Sequence, residues 1–246
     1  MPIYDKPTWH LMKDMVADLR LREGQVLSRS QVRSWFNTQY PKIKEGTISA
    51  HLLRMSTNAP SRVHYGVRSS GEDDLLYKLD GSHFRLYDPD TDPQPIYKKL
   101  QSEPSGEEPE DEPQQQAEFA YESDLKNFLA KNLGLLEPGL RLYEDEGITG
   151  VEFPVGRRFV DILAVDANGD YVVVELKVSR GYDRVVGQLL GYMAWIEKNQ
   201  ADPSQEVRGF IVARKISQDL LLAASRLTDV ELFEYQLSVS LHKVAK

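Results

Sequence analysis

The sequence contains no cysteine, no long apolar run and no basic, apolar amino terminus. Without cysteine there is no disulfide framework and no thiol nucleophile, so a bound metal must use carboxylate, amide or histidine ligands. The uncharged apolar-rich stretch Gly187 to Ile196 is about half of the roughly 20 residues that a membrane-spanning helix needs. The first residues include acids and a proline, unlike a secretory signal. We therefore expect a cytoplasmic protein with no membrane partner.

The formal net charge of −8 is distributed unevenly along the 246 residues. Residues 1–100 hold 15 Lys and Arg against 12 Asp and Glu, residues 101–118 hold none against seven, and residues 119–246 hold 15 against 19. Most of the acidity therefore belongs to one short segment, and the amino-terminal part is mildly basic. The negative total does not exclude a nucleic-acid partner.

The acidic segment also divides the chain. Residues 101–118 combine prolines, glutamines and seven acids with one alanine as the only apolar residue. Such a segment has almost nothing to bury and repels itself, so we predict an acidic disordered linker. Two domains follow from this division, at residues 1–100 and 119–246.

Apolar residues in the first domain recur at helical spacing and predict three helices. The first covers about Trp9–Leu19, and the second is capped by Ser30 and ended by Pro41. The third starts near Thr47 and is expected to leave Thr47, Ala50 and Arg54 facing outward. A hairpin signal follows these helices. Three helices followed by a hairpin is the winged-helix order, so we predict a winged-helix-like DNA-recognition domain.

The second domain begins with a helix and then changes to strand-like patterns. Its predicted helices cover about 123–132, 183–199 and 218–226, and its predicted strands cover 141–146, 159–165, 171–178, 208–213 and 230–235. This order predicts a mixed sheet flanked by helices, so the chain as a whole is of the α/β (α+β) class.

Three charged residues interrupt the apolar strands of this domain. Asp161 lies in one strand, and Glu175 and Lys177 lie in the next. Side chains alternate along a strand, so Glu175 and Lys177 share a face that Leu176 does not. Burying such charges is costly unless they neutralise each other or hold a cation. An exposed edge strand with a simple ion pair is the alternative interpretation.

The turn between the two strands decides whether Asp161 joins the other charges. A two-residue turn would place Asp161 opposite Leu176, on the wrong face. A three-residue loop, 167–169, with Gly169 in a left-handed conformation, would place Asp161 opposite Glu175. We predict the three-residue loop.

Asp161, Glu175 and Lys177 have the form of the D-x(n)-E-x-K signature, which resembles the PD-(D/E)XK nuclease superfamily. The flanking motifs are Glu122-Ser123-Asp124-Leu125, Gly156-Arg157-Arg158 and Gly187-Gln188-Leu189-Leu190-Gly191-Tyr192. With these motifs, the segment from Tyr121 to Asn199 resembles the carboxy-terminal nuclease domain of the NucS endonucleases. The resemblance implies a restriction-endonuclease-like sheet.

The resemblance also implies a DNA endonuclease that depends on Mg²⁺ or Mn²⁺. The matching active-site positions are Glu122, Asp161, Glu175, Lys177 and Gln188. The carboxylates of Asp161 and Glu175 with the carbonyl of Leu176 would suit a hard cation. Lys177 would orient a water or help to deprotonate it, and Gln188 would donate a hydrogen bond. Glu122 could bind metal through water or hold Lys177, or it could simply complement the helix dipole.

The resemblance does not cover the first domain, because NucS proteins carry a different amino-terminal domain. Basic and polar side chains nevertheless suggest DNA contacts in both domains. The candidates are Lys42, Lys44, Thr47, Arg54, Arg62, His64, Arg157, Arg158, Arg180 and Arg184. Alternatively, these are solvated surface charges and the first domain binds protein.

Together these observations predict a two-domain, metal-dependent DNA endonuclease that acts in restriction, defence or DNA repair. DNA is the expected partner, and a homodimer is expected if both strands are cut. Two alternatives remain open. One is a non-catalytic winged-helix DNA-binding protein whose nuclease-like domain is structural, and the other is a nuclease-fold subunit that needs a partner.

Overall fold

The structure is a computed structural model that describes residues 3–98, 113–177 and 184–236, with backbone alone for 113–121. The helices are α1 (Thr8–Asp18), α2 (Arg29–Gln39), α3 (Glu45–Arg54), α4 (Pro113–Lys131), α5 (Val185–Asn199) and α6 (Gln218–Ala224). The strands are β1 (Leu27–Ser28), β2 (Leu76–Lys78), β3 (His83–Leu86), β4 (Arg141–Leu142), β5 (Glu144–Asp145), β6 (Ile148–Thr149), β7 (Val151–Val155), β8 (Arg158–Val165), β9 (Tyr171–Lys177), β10 (Val207–Ala213) and β11 (Val230–Glu234). The predicted mixed α/β class is confirmed.

The first part of the chain has the predicted order of three helices followed by a hairpin. The hairpin strands join β1 in an antiparallel sheet of order β1-β3-β2. The cap of α2 is Ser28 and not the predicted Ser30, because a capping box forms there: the Ser28 hydroxyl accepts from the amide of Gln31, and the Gln31 side chain accepts from the amide of Ser28. The β1 strand ends at this cap, so α2 starts earlier than its apolar stripe suggests.

The second part contains a six-stranded mixed sheet of order β11-β10-β9-β8-β4, with β7 also paired to β8. β9, β10 and β11 run parallel, whereas β4, β7 and β9 run antiparallel to β8. Leu125 and Leu129 of α4 pack on one face of this sheet, and Leu189 and Met193 of α5 pack on the other. Both faces of β9 are therefore buried, which fits its run of β-branched residues.

The strand predicted at 141–146 is broken in the structure. It becomes β4 and β5, and β5 turns back into β6 through Glu146 and Gly147, whose φ angles are +48° and +82°. β7 was not predicted. Strands of two residues carry too little alternation of apolar and polar residues to be predicted from periodicity. The segment of β7 contains Pro154, and a proline argues against predicting a strand there.

The linker prediction is partly wrong, because α4 begins at Pro113, inside the predicted 101–118 segment. Proline is tolerated in the first turn of a helix, and the glutamines and alanine that follow are good helix formers. Residues 101–112 lie outside the described residues. The division into domains at 1–100 and 119–246 stays a prediction.

Helix α3 packs against the second part of the chain as well as against its own neighbours. Ala50 and Leu53 belong to the same hydrophobic cluster as Phe153. The prediction that Thr47, Ala50 and Arg54 face outward is therefore wrong, because Ala50 is fully buried and the other two residues are each only 5% exposed. A helix with apolar contacts on two sides has no free polar face, and a single helical period cannot reveal the second contact.

Polar contacts join the same two parts. The Arg54 guanidinium donates to the carbonyl of Glu146 at 2.8 Å, and the amide of Thr8 donates to the Glu146 carboxylate at 2.6 Å. The Tyr65 hydroxyl donates to the carbonyl of Glu152 at 2.6 Å. The β5–β6 hairpin and the start of β7 therefore form the surface on which the amino-terminal part rests.

Among the helices in the described ranges, none combines the length and the apolar character needed to cross a membrane.

Candidate active site

The β8–β9 hairpin has the predicted register. Ile162 lies opposite Val174 and Val165 lies opposite Tyr171, so the pairing continues to place Asp161 level with Glu175. The loop is the three-residue one, closed by a hydrogen bond from the Asp166 amide to the Asp170 carbonyl, and Gly169 has a φ of +94°. The prediction of the three-residue loop is confirmed, and the two acids are neighbours in the sheet.

Hydrogen bonds connect the predicted site residues on β8, β9 and α5. The amide of Leu176 donates to Asp161 Oδ2 at 2.9 Å, which fixes one oxygen of that carboxylate. Lys177 Nζ and Gln188 Nε2 both donate to Glu175 Oε1, at 2.9 and 2.8 Å. The side chains of Asp161, Glu175, Lys177 and Gln188 therefore form one cluster.

Glu175 is the most buried acid of this cluster, with 2% of its surface exposed. Its Oε2 atom has no hydrogen-bond partner within the described residues. Burial, together with the negative charge of Asp161, raises the pKa of Glu175 to about 7, against the opposing effect of Lys177. A buried oxygen without a donor is unfavourable by itself and is suited to binding a cation.

The pKa values of Lys177 and Glu122, which lie near Glu175, are also raised. Burial lowers the pKa of Lys177, but the carboxylates of Glu175, Asp161 and Glu122 outweigh it, so the net shift of the pKa is upward. Burial and the charge of Asp161 raise the pKa of Glu122. Glu122 lies in the middle of α4, nine residues after its start, so it does not complement the helix dipole, and the charges of Asp161 and Lys177 act on it instead.

Three further residues of the site were missed by the sequence analysis. Lys126 of α4 donates to Glu152 Oε1 at 2.8 Å and lies 3.6 Å from Asp161 Oδ1. The Tyr192 hydroxyl accepts from Gln188 Nε2 at 2.8 Å. Helical spacing could have found Lys126, four residues after Glu122, and Tyr192, four residues after Gln188. Nothing local indicates Glu152, because β7 was not predicted.

The geometry fits a divalent cation with few protein ligands. Within the described residues, no group of three or more His, Asp or Glu side chains is arranged to hold a metal ion. Glu175 Oε2, which has no partner among the described residues, and the Asp161 carboxylate nevertheless lie on neighbouring strands, and the backbone of Leu176, the residue after Glu175, contacts Asp161. Two carboxylates, a carbonyl and water oxygens are the ligand set that a hard octahedral cation accepts.

Three of the predicted DNA contacts in the amino-terminal part are not available to DNA in this structure. Thr47 and Arg54 are buried against the second part of the chain, and Arg62 is fully buried. The Arg62 side chain donates to the carbonyls of Arg54 and Thr57 and to the Asp74 carboxylate, so it holds the fold together. Their charge or polarity suggested a surface role, but Arg54 and Arg62 instead donate to carbonyls and carboxylates inside the protein.

The other candidates of this part differ in exposure. Lys42 is exposed. Lys44 forms an ion pair with Asp202 at 2.5 Å, and His64 is half-buried with Nε2 3.7 Å from Glu152 Oε2.

The second part supplies better placed cations. Arg157, Arg158 and Arg184 are exposed, whereas Arg180 lies outside the described residues. Arg158, Arg184, Gly187 and Gln188 line a pocket of about 340 Å³. Gln188 also contacts Glu175, so the pocket opens directly beside the acidic cluster.

A positive cluster between the two parts was also missed. Burial lowers the pKa of Arg29, and the charges of Arg33 and Arg157 lower it further, against Glu45. Lys78 behaves alike, because burial and the charge of Arg29 lower its pKa. Arg29 and Arg157 are too far apart in sequence for spacing to reveal that their charges interact.

Comparison with known families covers most of the chain in two pieces. Residues 121–236 match the family described as the Endonuclease NucS C-terminal domain. Residues 7–86 match a family described as a Domain of unknown function (DUF7669). The sequence-based recognition of a NucS-like PD-(D/E)XK carboxy-terminal domain is confirmed.

Individual relatives carry the same name. Endonuclease NucS of Methanopyrus kandleri is 30% identical over 99 residues, which are 40% of this chain and 35% of the relative. Endonuclease NucS of Thermococcus kodakarensis is 29% identical over 116 residues, which are 47% of this chain and 40% of the relative. The chain thus spans less than half the length of these curated relatives.

Two solved structures are also similar. A repair endonuclease from Pyrococcus abyssi has a TM-score of 0.39 and 23% identity, over 53% of this chain and 49% of that chain. A complex of EndoMS with double-stranded DNA has a TM-score of 0.39 and 24% identity, over 48% of this chain and 46% of that chain.

Proposed function

We propose that this chain, whose residues 121–236 form a NucS-like endonuclease domain, hydrolyses phosphodiester bonds in DNA with the help of Mg²⁺ or Mn²⁺. The observation that carries the proposal is the convergence of Asp161, Glu175, Lys177 and Gln188, with one buried Glu175 oxygen that has no donor among the residues that the structure describes. A site kept only for stability would not retain an uncompensated oxygen of this kind.

Asp161, Glu175 and the Leu176 carbonyl would hold the cation. When bound, a divalent cation polarises the scissile phosphate and lowers the pKa of a bound water. The amide of Leu176 keeps the Asp161 carboxylate in position, and Gln188 does the same for Glu175. These contacts fix both carboxylates before substrate arrives, which reduces the reorganisation needed in the transition state.

Lys177 is best suited to offset the negative charge of the phosphate. Its raised pKa keeps the ammonium protonated at neutral pH, because Glu175 and Asp161 stabilise the charge. A protonated lysine cannot accept a proton from water, so the arrangement favours the orienting role over the deprotonating one.

The exposed Arg157, Arg158 and Arg184 are proposed to contact the DNA backbone next to the site. The pocket beside Gln188 has room for a phosphate between Arg158 and Arg184. Arg29 extends the positive surface from Arg157 into the amino-terminal part. DNA would then lie across the junction of the two parts, without insertion of α3 into a groove.

Purified protein incubated with plasmid and oligonucleotide DNA tests the proposal. Cleavage is expected with Mg²⁺ or Mn²⁺ and not with EDTA. Asp161→Asn and Lys177→Met should each reduce the rate by about 10²- to 10³-fold, as removal of a transition-state contact typically does. The exposed α4 residues Asp124 and Lys131 provide matched controls, Asp124→Asn and Lys131→Met, which should cut at the wild-type rate.

The outcomes separate the proposal from its alternatives. DNA binding without any cleavage would favour a non-catalytic DNA-binding protein. Cleavage that appears only after addition of a cell extract would favour a subunit that needs a partner. Cleavage that survives Asp161→Asn would rule out this site.

DNA repair is the setting that we propose first, because the similar Pyrococcus abyssi protein is described as a repair endonuclease. Restriction or defence would require recognition of particular sequences or modified bases. We further propose a cytoplasmic location and a homodimer for double-strand cleavage, since one site cuts one strand at a time. Sedimentation analysis with and without DNA tests the dimer.

A further inference from the structure

Glu152, Asp161 and Glu175 form a row of acids across three adjacent strands. In the β7–β8 pairing, Val151 lies opposite Ile162 and Phe153 lies opposite Val160, which puts Glu152 level with Asp161. The β8–β9 register puts Asp161 level with Glu175. Neighbouring like charges are unfavourable in a sheet unless cations separate them.

The Lys126 ammonium forms ion pairs with both Glu152 and Asp161, but it lies closer to Glu152. Its ammonium lies 2.8 Å from Glu152 Oε1 and 3.6 Å from Asp161 Oδ1. The Lys126 side chain is only 12% exposed, so solvent screens these interactions weakly. Burial alone would lower the pKa of Lys126, but Glu152 and then Asp161 raise it, so the lysine stays charged.

Asp161 Oδ2 is already engaged by the Leu176 amide. Oδ1 is therefore the oxygen left for a cation, and among the described residues Lys126 is the positive group at ion-pair distance that competes for it. A hydrogen bond from Lys126 to this oxygen would block it. The ammonium instead donates its hydrogen bond to Glu152 and keeps only the longer, 3.6 Å ion pair with Asp161 Oδ1.

We propose that Glu152 is a positioning residue that anchors Lys126 and so keeps Asp161 Oδ1 available to the divalent cation. The inference rests on the proposed function of the Asp161–Glu175 site. Lys126 retains a charge close enough to balance the acids but does not occupy the ligand position. Groups that orient a ligand in this way typically change metal affinity by about 10- to 100-fold when they are removed.

The backbone of Glu152 supports this role. Its φ of +50° is unusual for a residue with a side chain and is unfavourable by itself. The hydroxyl of the buried Tyr65 donates to the Glu152 carbonyl at 2.6 Å, and Phe153 next to it is fully buried. The amino-terminal part of the chain therefore helps to hold Glu152 where it can reach Lys126.

Binding of Mn²⁺ alone, measured by calorimetry on the full chain, tests the anchor. Glu152→Gln keeps the side-chain shape but removes the attraction for Lys126, so Mn²⁺ should bind about 10-fold more weakly. Lys126→Met removes the competing ammonium, so the affinity of this variant for Mn²⁺ should be equal to that of wild type or higher. The double variant should return to within about twofold of wild type, because a missing Lys126 needs no anchor.

Glu137→Gln is the matched control. Glu137 also forms an ion pair, with Arg208 at 2.9 Å, but it does not contact the acidic cluster. Its substitution should leave Mn²⁺ affinity unchanged. Melting temperatures of all variants show whether they fold.

The results distinguish the anchor from a scaffold and from a failure of the site. The anchor is overturned if Glu152→Gln binds Mn²⁺ as tightly as wild type, or if the double variant binds Mn²⁺ as weakly as Glu152→Gln. In either case, Mn²⁺-dependent cleavage by the wild type would still support the proposed function. Equal weakening in Glu152→Gln and Lys126→Met would mean that the pair is only structural. A wild type that neither binds Mn²⁺ nor cuts DNA would overturn both inferences.

Discussion

Glu175 carries the largest electrostatic cost in the candidate site. It is buried, one of its oxygens lacks a donor in the described part of the chain, and Asp161 repels its charge. Lys177 and Gln188 compensate through the other oxygen only. Such residues are retained for chemistry at the expense of stability.

Glu175→Gln should therefore stabilise the fold while abolishing cleavage. Removal of the buried charge relieves the repulsion from Asp161, and we expect the free energy of unfolding in EDTA at pH 8 to rise by about 1 kcal/mol. Urea denaturation measures this change. Glu231→Gln, at an exposed acid, should change stability by less than about 0.5 kcal/mol. A destabilised Glu175→Gln would mean that the carboxylate is structural.

His51 shows how burial changes the protonation of a side chain. Its Nδ1–H donates to the carbonyl of Thr47 at 3.0 Å. Burial, helped by the positive charge of Arg54, lowers the pKa of His51 to about 4. Glu146 Oε2 lies 3.7 Å from Nε2 and favours protonation, but burial has the larger effect.

The lowered pKa of His51 predicts a loss of stability in acid. Between about pH 6.5 and pH 4 the unfolded chain takes up a proton that the folded chain excludes, so the free energy of unfolding falls as the pH falls. The full effect is about 3 kcal/mol, at 1.36 kcal/mol per pKa unit. His51→Gln should show a smaller decrease over this window in pH-dependent urea titrations. Parallel curves for the two proteins would contradict the assignment.

At the scale of elements, the β8–β9 hairpin holds the site together through its loop. A loop one residue shorter would place Asp161 opposite Leu176 and separate the acids. Gly169 allows the three-residue loop because its φ of +94° is accessible to glycine without strain.

Gly169→Ala tests this requirement. An added Cβ would meet nothing within 4 Å, so the expected cost of about 1–2 kcal/mol comes from the backbone conformation alone. Gly134→Ala is the control, since Gly134 also has open space around it and no positive φ. Chemical denaturation of both variants measures the difference. Equal stabilities would show that the loop tolerates a side chain.

At the scale of the whole molecule, α3 joins the two parts of the chain. Arg54 donates to the carbonyls of Glu146 and Gly66 and lies 3.3 Å from the Asp73 carboxylate. These are structural contacts, so the helix that sequence assigns to DNA recognition serves as an internal interface here.

Arg54→Met should consequently reduce the free energy of unfolding by about 2–4 kcal/mol, because two carbonyls lose their donor and the buried Asp73 loses one of its two arginine partners and keeps only Arg68. Arg33→Met removes a more exposed ion pair with Glu45 and should cost less than about 1 kcal/mol. Urea denaturation of both variants measures the two changes. A stable Arg54→Met variant with weakened DNA binding would restore the DNA-contact prediction.

The sequence was sufficient for features that depend on local geometry. Strand alternation placed Glu175 and Lys177 on one face, and turn chemistry placed Asp161 beside them, because both follow from short-range backbone rules. Helical spacing likewise located α1 and α5. The cap of α2, the β5–β6 hairpin and the start of α4 were not found, since short elements carry too little periodicity.

What the sequence by itself determined is the acidic cluster, because its residues lie within two consecutive strands and the helix that follows. Only the tertiary structure decided that Arg54 and Arg62 are buried and that Lys126 and Glu152 adjoin Asp161. Burial depends on which surfaces meet, and Arg54 meets Glu146 across 92 positions of sequence. No local pattern encodes such a contact, since it results from the packing of the two parts as a whole.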